Sequence, residues 1–197
     1  SGAGLMIISV AMQLGKSGGG TNLLDILGMT VEVGTILVVS LAIGNGGGRI
    51  LAGMLSDKFG RKVTLAGFLI FQAVLVFLLT MAQTADSPLN NTWVLMIIIA
   101  LVGANYGSNL TLFPAFSKDY YGLKNFGVNY GLVFTSWGIG GFMLAKLAGW
   151  AKDGMIGERW AGSYDFAFYT SAVLLVLAAV VAFMMKAPHH TEDAPAE

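Results

Sequence analysis

Long apolar runs separated by short polar stretches dominate the pattern of this chain. A bilayer core of about 30 Å requires roughly 20 mostly apolar residues in a helical span. Five runs meet that length: Val33–Leu55, Val63–Ala82, Trp93–Pro114, Val128–Trp150 and Phe166–Met185. None of them shows the period-two alternation of a membrane β-barrel strand. The pattern therefore predicts an all-α fold, a polytopic bundle of membrane-spanning helices.

The chain begins with an apolar segment that is too short to cross a bilayer. Gly4–Leu14 has eleven residues, and no basic residue precedes it, as one would in a signal peptide. We interpret this segment as part of a first crossing whose beginning is truncated, so that residues 1–185 form a unit of six transmembrane helices. Residues 186–197 contain two histidines and three acids, which is typical of a solvated terminal tail.

The composition agrees with lipid as the main solvent. Of the 197 residues, 55% are hydrophobic and 11% are charged, whereas a soluble domain carries about 25% charged residues. This balance excludes an ordinary soluble enzyme, a disordered chain and a coiled coil. The formal net charge is +0, so nothing indicates a nucleic-acid partner. Without cysteine, and with both histidines adjacent in the tail, we expect no cofactor, metal site or catalytic residue.

Lysine and arginine are distributed unevenly between the two sets of short loops. One set carries Lys58, Arg61, Lys62, Lys118, Lys124 and Lys186, and the other carries Lys16, Lys152 and Arg159. Basic loops favour the cytoplasmic side, so we expect the loops Ser56–Lys62 and Ala115–Gly127 and the C-terminus in the cytoplasm. Tryptophans near the opposite span ends agree with an aromatic belt there. The expected location is the cell membrane, inner or plasma, with several crossings.

Arg49 lies well inside a predicted span. It precedes Leu55 by six residues, which is roughly 9 Å along a helix. An arginine at a bilayer centre costs roughly 2.5–3.5 kcal/mol, so its side chain either extends to the lipid headgroups or faces water. Helical periodicity places it on a stripe of small or polar residues: Ala42, Asn45, Gly46, Arg49, Ala52, Gly53 and Ser56. Such a stripe is typical of a cavity wall, and we expect Arg49 to bind an anionic ligand.

Other polar residues in the spans are candidates for the same cavity. They are Asn45, Tyr106, Asn109 and Tyr130. Asn105 and Asn109 share a helix face, where they either line the cavity or hold helices together. Lys146 precedes Trp150 by four residues, and its side chain either reaches the outer headgroups or contacts the ligand.

Glycines are concentrated inside two of the spans. The 27 glycines are about twice the usual share, and Gly44 and Gly48 stand at a spacing that lets membrane helices approach closely. We interpret most of these glycines as packing positions. Sliding or bending of helices during gating is the alternative.

The stretch Gly53–Lys62 resembles a signature of the major facilitator superfamily. It reads GMLSDKFGRK and meets every fixed position of the pattern G-x-L-[SA]-D-[RK]-x-G-R-[RK]. The functional positions of this motif are Gly53, Asp57, Lys58, Gly60, Arg61 and Lys62. Gly60 would allow the tight reversal, and the resemblance implies that Asp57 takes part in contacts that latch one conformational state. A basic loop that only sets the topology is the alternative.

More of the chain resembles the oxalate/formate antiporters and the related monocarboxylate transporters. The matching stretches are residues 44–49, 112–115, 119–122, 124–131 and 162–168. The resemblance implies that the chain is the C-terminal half, helices seven to twelve, of a twelve-helix transporter, and that the N-terminal half is its partner. In those antiporters a cavity arginine and a lysine bind the dicarboxylate.

Arg49 matches the arginine of those antiporters, whereas Trp137 stands where the lysine is expected. Trp137 is therefore a further candidate for the cavity wall. Lys146 comes nine residues later, which amounts to half a turn net. If Trp137 faces the cavity, Lys146 points away from it.

The residues and the resemblance together predict a secondary active transporter, an antiporter or a symporter, of small organic anions. With one cavity cation in this half, the substrate is a monocarboxylate, or a dicarboxylate whose second partner lies in the other half. Alternating access would hold the substrate near the midplane between the halves. The alternative is a membrane sensor or an assembly subunit that has a transporter-like fold and does not transport.

Overall fold

Helices dominate the structure, a computed structural model that describes residues 2–8, 23–26, 29–82, 87–89 and 91–185. A short helix α1 (residues 2–8) precedes α2 (Val33–Phe59), α3 (Arg61–Ala82), α4 (Thr92–Tyr121), α5 (Phe126–Lys152) and α6 (Asp165–Met184). The last five are long and apolar enough to cross a membrane. The predicted all-α membrane bundle is confirmed, and each predicted span lies within its helix to within one residue.

The two ends of the chain are described only in part. Residues 2–8 are helical, as expected for part of a first crossing, and the Leu5 side chain of α1 packs against Gly141 of α5. The remainder of Gly4–Leu14 and the predicted tail, residues 186–197, lie outside the described residues. The division into a six-helix unit and a tail therefore stays a prediction.

A β-hairpin that the hydropathy pattern does not predict leads into α2. Strand β1 (Leu23–Ile26) pairs antiparallel with β2 (Met29–Glu32), with Leu23 opposite Glu32 and Ile26 opposite Met29. Strands of four residues are too short to give a clear alternation of apolar and polar positions. The bundle of helices is unaffected, because β2 ends where α2 begins.

Helices α2 and α4 meet backbone to backbone along a glycine seam, formed by Gly44 and Gly48 of α2 with Gly103 and Gly107 of α4. A Cβ built on any of these four glycines would overlap a backbone carbonyl oxygen of the facing helix. The carbonyls belong to Ala100, Ala104, Leu41 and Asn45. Small residues permit such close approach in lipid, where packing drives helix association. The packing interpretation of Gly44 and Gly48 is confirmed.

Helices α3 and α6 pack against each other and bury apolar side chains between them. The buried set includes Leu75, Val76, Leu79, Phe168 and Leu175. Their outward faces are also apolar, with exposed Ile70, Val74, Phe77, Leu177 and Val180. Lipid tails are as apolar as these side chains, so these faces suit direct contact with the bilayer.

Polar contacts hold the helix ends together. Gly60 ends α2 with a φ of 83°, a conformation that glycine adopts without the steric cost of a Cβ. Directly after it, Arg61 donates from Nε to the Asp119 carboxylate at the end of α4. The α2–α3 turn and the end of α4 therefore lie at the same end of the bundle, as the charge distribution predicts.

Candidate functional site

Arg49 lies on an open face of α2. It is exposed, and its Nε donates to Asn45 Oδ1 at 3.1 Å, one helical turn earlier. Within the described ranges its guanidinium has no carboxylate partner. A Cβ built on the neighbouring Gly46 or Gly47 would meet nothing within 4 Å. The charge therefore has one neutral hydrogen-bond partner and free space beside it, as an anion-binding position requires.

The predicted stripe around Arg49 is wrong at two positions. Ala52 is fully buried and Ser56 is 4% exposed. Ala52 and Ser56 follow Gly48 at intervals of four residues, so all three lie on the same face of α2, the face that packs inside the bundle. The open wall of α2 is thus shorter than the sequence predicts and is centred on Asn45 and Arg49.

Tyr106 joins α4 to α5. It is 8% exposed. Its ring packs against the Trp137 indole with the ring centres 5.9 Å apart. Helix α1 also approaches so closely that a Cβ on Gly4 would lie 2.8 Å from Tyr106 Cδ2. The ring therefore has packing neighbours on both α1 and α5.

A cavity of about 110 Å³ lies between α4 and α5 beside this ring pair. Its lining residues are Asn109, Leu110, Phe113, Tyr130, Val133, Phe134, Ser136 and Trp137. Three of the predicted site residues, Asn109, Tyr130 and Trp137, are thus brought together in one wall. Asn45, Arg49 and Tyr106 are not among its lining residues. Tyr106 adjoins the cavity through its ring contact with Trp137, and Asn45 and Arg49 lie together on α2.

Two side chains of this cavity carry buried polar atoms that lack hydrogen-bond partners. They are Trp137 Nε1 and Asn109 Oδ1. The Asn109 amide nitrogen donates to the Asn105 carbonyl at 2.9 Å, which leaves its oxygen as the available acceptor. An unsatisfied buried group costs about 1–3 kcal/mol, so this donor and this acceptor would each gain from a polar partner that reached them.

Aromatic rings continue the wall along α5. Trp137 packs on Phe134 with centres 4.6 Å apart, and Phe134 meets Tyr130 at 5.4 Å. Tyr130 in turn stacks on Phe126 at 5.6 Å. Phe134 is not predicted as a site residue, although its position three residues before Trp137 puts both side chains on one helix face.

Lys146 is separate from this cavity. Its ammonium lies 5.7 Å from the Phe142 ring centre and 5.1 Å from that of Trp150. The side chain is exposed and does not line the cavity that Trp137 lines. This arrangement agrees with the half-turn offset between the two positions, and Lys146 is not brought together with the other candidates.

The signature motif forms the end of α2 and the beginning of α3. Arg61 contacts Asp119 and also donates from Nη1 to Ser56 Oγ at 3.3 Å. Lys58 lies over the Phe59 ring, Lys62 is half-buried, and Gly53 sits on a surface where a Cβ would meet nothing within 4 Å. Asp57 is exposed and has no ion pair with a described residue.

The latch role of Asp57 therefore stays a prediction. The carboxylate that does pair with the motif, Asp119, was not singled out from the sequence. Its position in the chain could have identified it. An acid in the last turn of α4 lies at the same end of the bundle as the α2–α3 turn and can pair with a basic residue there.

Comparisons with known proteins agree with this architecture. The family model described as Major Facilitator Superfamily matches residues 1–197. The uncharacterized MFS-type transporter YhjX of Escherichia coli (strain K12) is 32% identical over 139 residues, which cover 70% of this chain and 31% of that protein. The oxalate:formate antiporter of Oxalobacter formigenes is 27% identical over 183 residues, which cover 92% of this chain and 38% of that protein.

A third relative is the MFS transporter asaE of Aspergillus flavus, 28% identical over 149 residues, which cover 76% of this chain and 31% of that protein. The chain thus spans about a third of the length of the curated relatives it matches. The relatives are transporters, which are not enzymes, and the apolar helices make the chain part of a multi-pass membrane protein. With a family model that matches from the first residue to the last, the chain belongs to the major facilitator superfamily.

Proposed function

We propose that the protein containing this chain is a secondary active transporter of small organic anions, mono- or dicarboxylates, that works by alternating access. The observation that carries the proposal is Arg49, a guanidinium with open space beside it and no carboxylate partner in the described part of the chain. A cation in this situation attracts an anion. The guanidinium of Arg49 carries several N–H donors, and the two oxygens of a carboxylate can accept hydrogen bonds from them. A carboxylate is therefore a suitable ligand for Arg49.

The relatives support the same class of substrate. One of them is named an oxalate:formate antiporter, and both of those anions are carboxylates. Since this chain spans about a third of each relative, we further propose that a second six-helix half, not contained in this sequence, supplies the opposite wall of the binding site. Binding between two halves of a transporter is the usual arrangement for alternating access.

Within the site we assign one role to the polar residues of α2 and another to the residues that line the cavity between α4 and α5. Arg49, positioned by Asn45, would bind the carboxylate, and Trp137 Nε1 with Asn109 Oδ1 would bind polar atoms at the other end of the ligand. Tyr106 and Tyr130 would form walls between these groups. Because Trp137 replaces a second cation, a monocarboxylate fits this half best, and a dicarboxylate would need a cation from the other half.

For the orientation, we propose that the α2–α3 turn, the α4–α5 loop and the C-terminus face the cytoplasm. The greater number of lysines and arginines at that end supports it. The membrane would be the cell membrane. In this orientation the signature motif and its Arg61–Asp119 pair lie at the cytoplasmic end of the bundle.

Counterflow of labelled carboxylates in proteoliposomes tests the function. The full-length protein should exchange internal for external carboxylate, and Arg49→Ala should lower the exchange at least about tenfold, because a charged hydrogen bond is worth about 1.5–3 kcal/mol. Lys124→Gln removes a cation from a loop and should leave exchange unchanged.

Exchange that persists in Arg49→Ala would remove this residue from the site. A wild-type protein that binds carboxylates without exchanging them would favour the sensor or assembly subunit over the transporter.

A further inference from the structure

A second cavity lies at the surface where α2 meets α3 and shares no lining residue with the cavity beside Trp137. It is an apolar groove of about 240 Å³, lined by Leu55, Phe59, Val63, Thr64, Gly67, Phe68 and Phe71. We propose that this α2–α3 groove binds one acyl chain of an anionic phospholipid whose phosphate is held by Lys58 and Lys62. The inference does not depend on which substrate the protein carries.

The walls of the groove suit a hydrocarbon chain. Phe59, Val63 and Phe71 are large apolar side chains that remain exposed around it. Gly67 leaves the floor open, since a Cβ there would meet nothing within 4 Å. An acyl chain would fill this space and cover the exposed rings without moving either helix, and the bilayer supplies such chains at high concentration.

Thr64 provides a buried polar group inside the groove. It is 7% exposed, and its Oγ1 has no hydrogen-bond partner. Threonines in helices often donate to the carbonyl four residues earlier, and Thr80, Thr135 and Thr170 do so here at 2.8–3.2 Å. Thr64 does not, so the wall of the groove contains a buried hydroxyl without a protein partner, and an ester oxygen of a lipid would supply one.

The charges at the mouth of the groove favour an anionic headgroup. The Lys58 ammonium lies 5.4 Å from the centre of the Phe59 ring, which lines the groove, and Lys62 directly precedes Val63. Arg61 is paired with Asp119, so that pair adds no net charge. The negative charge of Asp57 cancels one of the two lysine charges, so Asp57, Lys58 and Lys62 together carry one net positive charge. Basic residues at the cytoplasmic surface attract anionic lipids.

Native mass spectrometry of the full-length protein in detergent tests the headgroup preference. Phosphatidylglycerol should bind about five-fold more tightly than phosphatidylcholine with the same acyl chains. Lys58→Gln/Lys62→Gln should abolish that preference, whereas Lys118→Gln/Lys124→Gln, with the same change in charge, should retain it. Equal binding of both lipids, a preference that survives in the first double variant, or displacement of the lipid by inorganic phosphate alone would overturn the proposal.

Thermal unfolding in detergent tests the groove itself. Phosphatidylglycerol should raise the Tm of the wild type, and Thr64→Val should lose at least half of that rise while its lipid-free Tm stays at or above that of the wild type. Gly67→Leu fills the groove and should prevent the lipid from binding, whereas Gly127→Leu, at another open glycine, should not. Wild-type lipid binding in Gly67→Leu would overturn the proposal. So would a wild type that binds no lipid and loses stability in Gly67→Leu, because another protein segment would then occupy the groove.

Discussion

Arg61 and Asp119 form an ion pair that joins the beginning of α3 to the last turn of α4 across 58 positions of sequence. The same arginine donates from Nη1 to Ser56 near the end of α2. One side chain thus connects three helix ends. The family motif therefore contains a side chain that clamps three helix ends together at one end of the bundle.

The clamp should contribute a small, measurable coupling energy. The two side chains are 35% and 40% exposed, and exposed ion pairs contribute about 0.2–1 kcal/mol. In a double-mutant cycle with Arg61→Gln and Asp119→Asn, followed by thermal unfolding in detergent, we expect a coupling energy in that range. Additive single-variant effects would show that the pair does not stabilise the fold.

Alanine substitutions at the adjacent glycines Gly47 and Gly48 should change the free energy of unfolding by different amounts. Gly48→Ala places a methyl group against the Ala104 carbonyl, and such overpacking costs about 1–3 kcal/mol. Gly47→Ala points into open space and should leave the free energy of unfolding unchanged or raise it, because alanine is the better helix former. Chemical denaturation of both variants measures the difference. Equal stabilities would mean that the helices do not approach as closely as described.

Removing the indole N–H while keeping an aromatic ring should weaken substrate binding. Trp137→Phe deletes the unpaired Nε1 donor, and a hydrogen bond to a neutral polar atom is worth about 0.5–1.5 kcal/mol. We expect the KM for carboxylate exchange to rise about two- to tenfold, with kcat changed much less. Trp150→Phe, outside the cavity, is the matched control. An unchanged KM in Trp137→Phe would separate the indole from the ligand.

Adding a second cation should change the substrate preference. Trp137→Lys places an ammonium in the wall of the cavity, so uptake of a dicarboxylate such as oxalate should rise relative to a monocarboxylate. The ratio of the two uptake rates should increase about tenfold or more, as expected for a new charge-assisted contact. Lys146→Gln should leave the ratio unchanged. A ratio that does not respond to Trp137→Lys would contradict the assignment of Trp137 to the cavity.

The positions of the helices follow from the sequence because each span is one continuous apolar run. A run of about 20 apolar residues leaves few alternatives to a crossing, and all five runs form helices long and apolar enough to cross a membrane. The neighbourhood of Asn45 and Arg49 could also be predicted, since residues four apart on one helix share a face. Both predictions concern residues that are close together in the sequence, and the periodicity of a single helix is enough to make them.

Relationships between helices could not be predicted in the same way. The buried state of Ala52 and Ser56 depends on how α2 is rotated against α4, and the pairing of Arg61 with Asp119 depends on which helix ends meet. The cavity beside Trp137 depends on Phe113 and Phe134 from two helices. When all faces of a helix are apolar, as in much of this bundle, the hydropathy pattern cannot predict which face packs against the neighbouring helix.

The seam between α2 and α4 has a mechanical consequence. Two helices whose backbones touch cannot shift past one another without collision of Cα atoms with carbonyl oxygens, so they translate and tilt as a single body. Arg49 on one and Asn109 on the other should then keep their separation whenever the two helices move. Helix α5 meets α4 through the rings of Tyr106 and Trp137, and such side-chain contacts slide and turn easily. We therefore expect the cavity to have one stiff wall, on α4, and one compliant wall, on α5, that adapts to what the cavity holds.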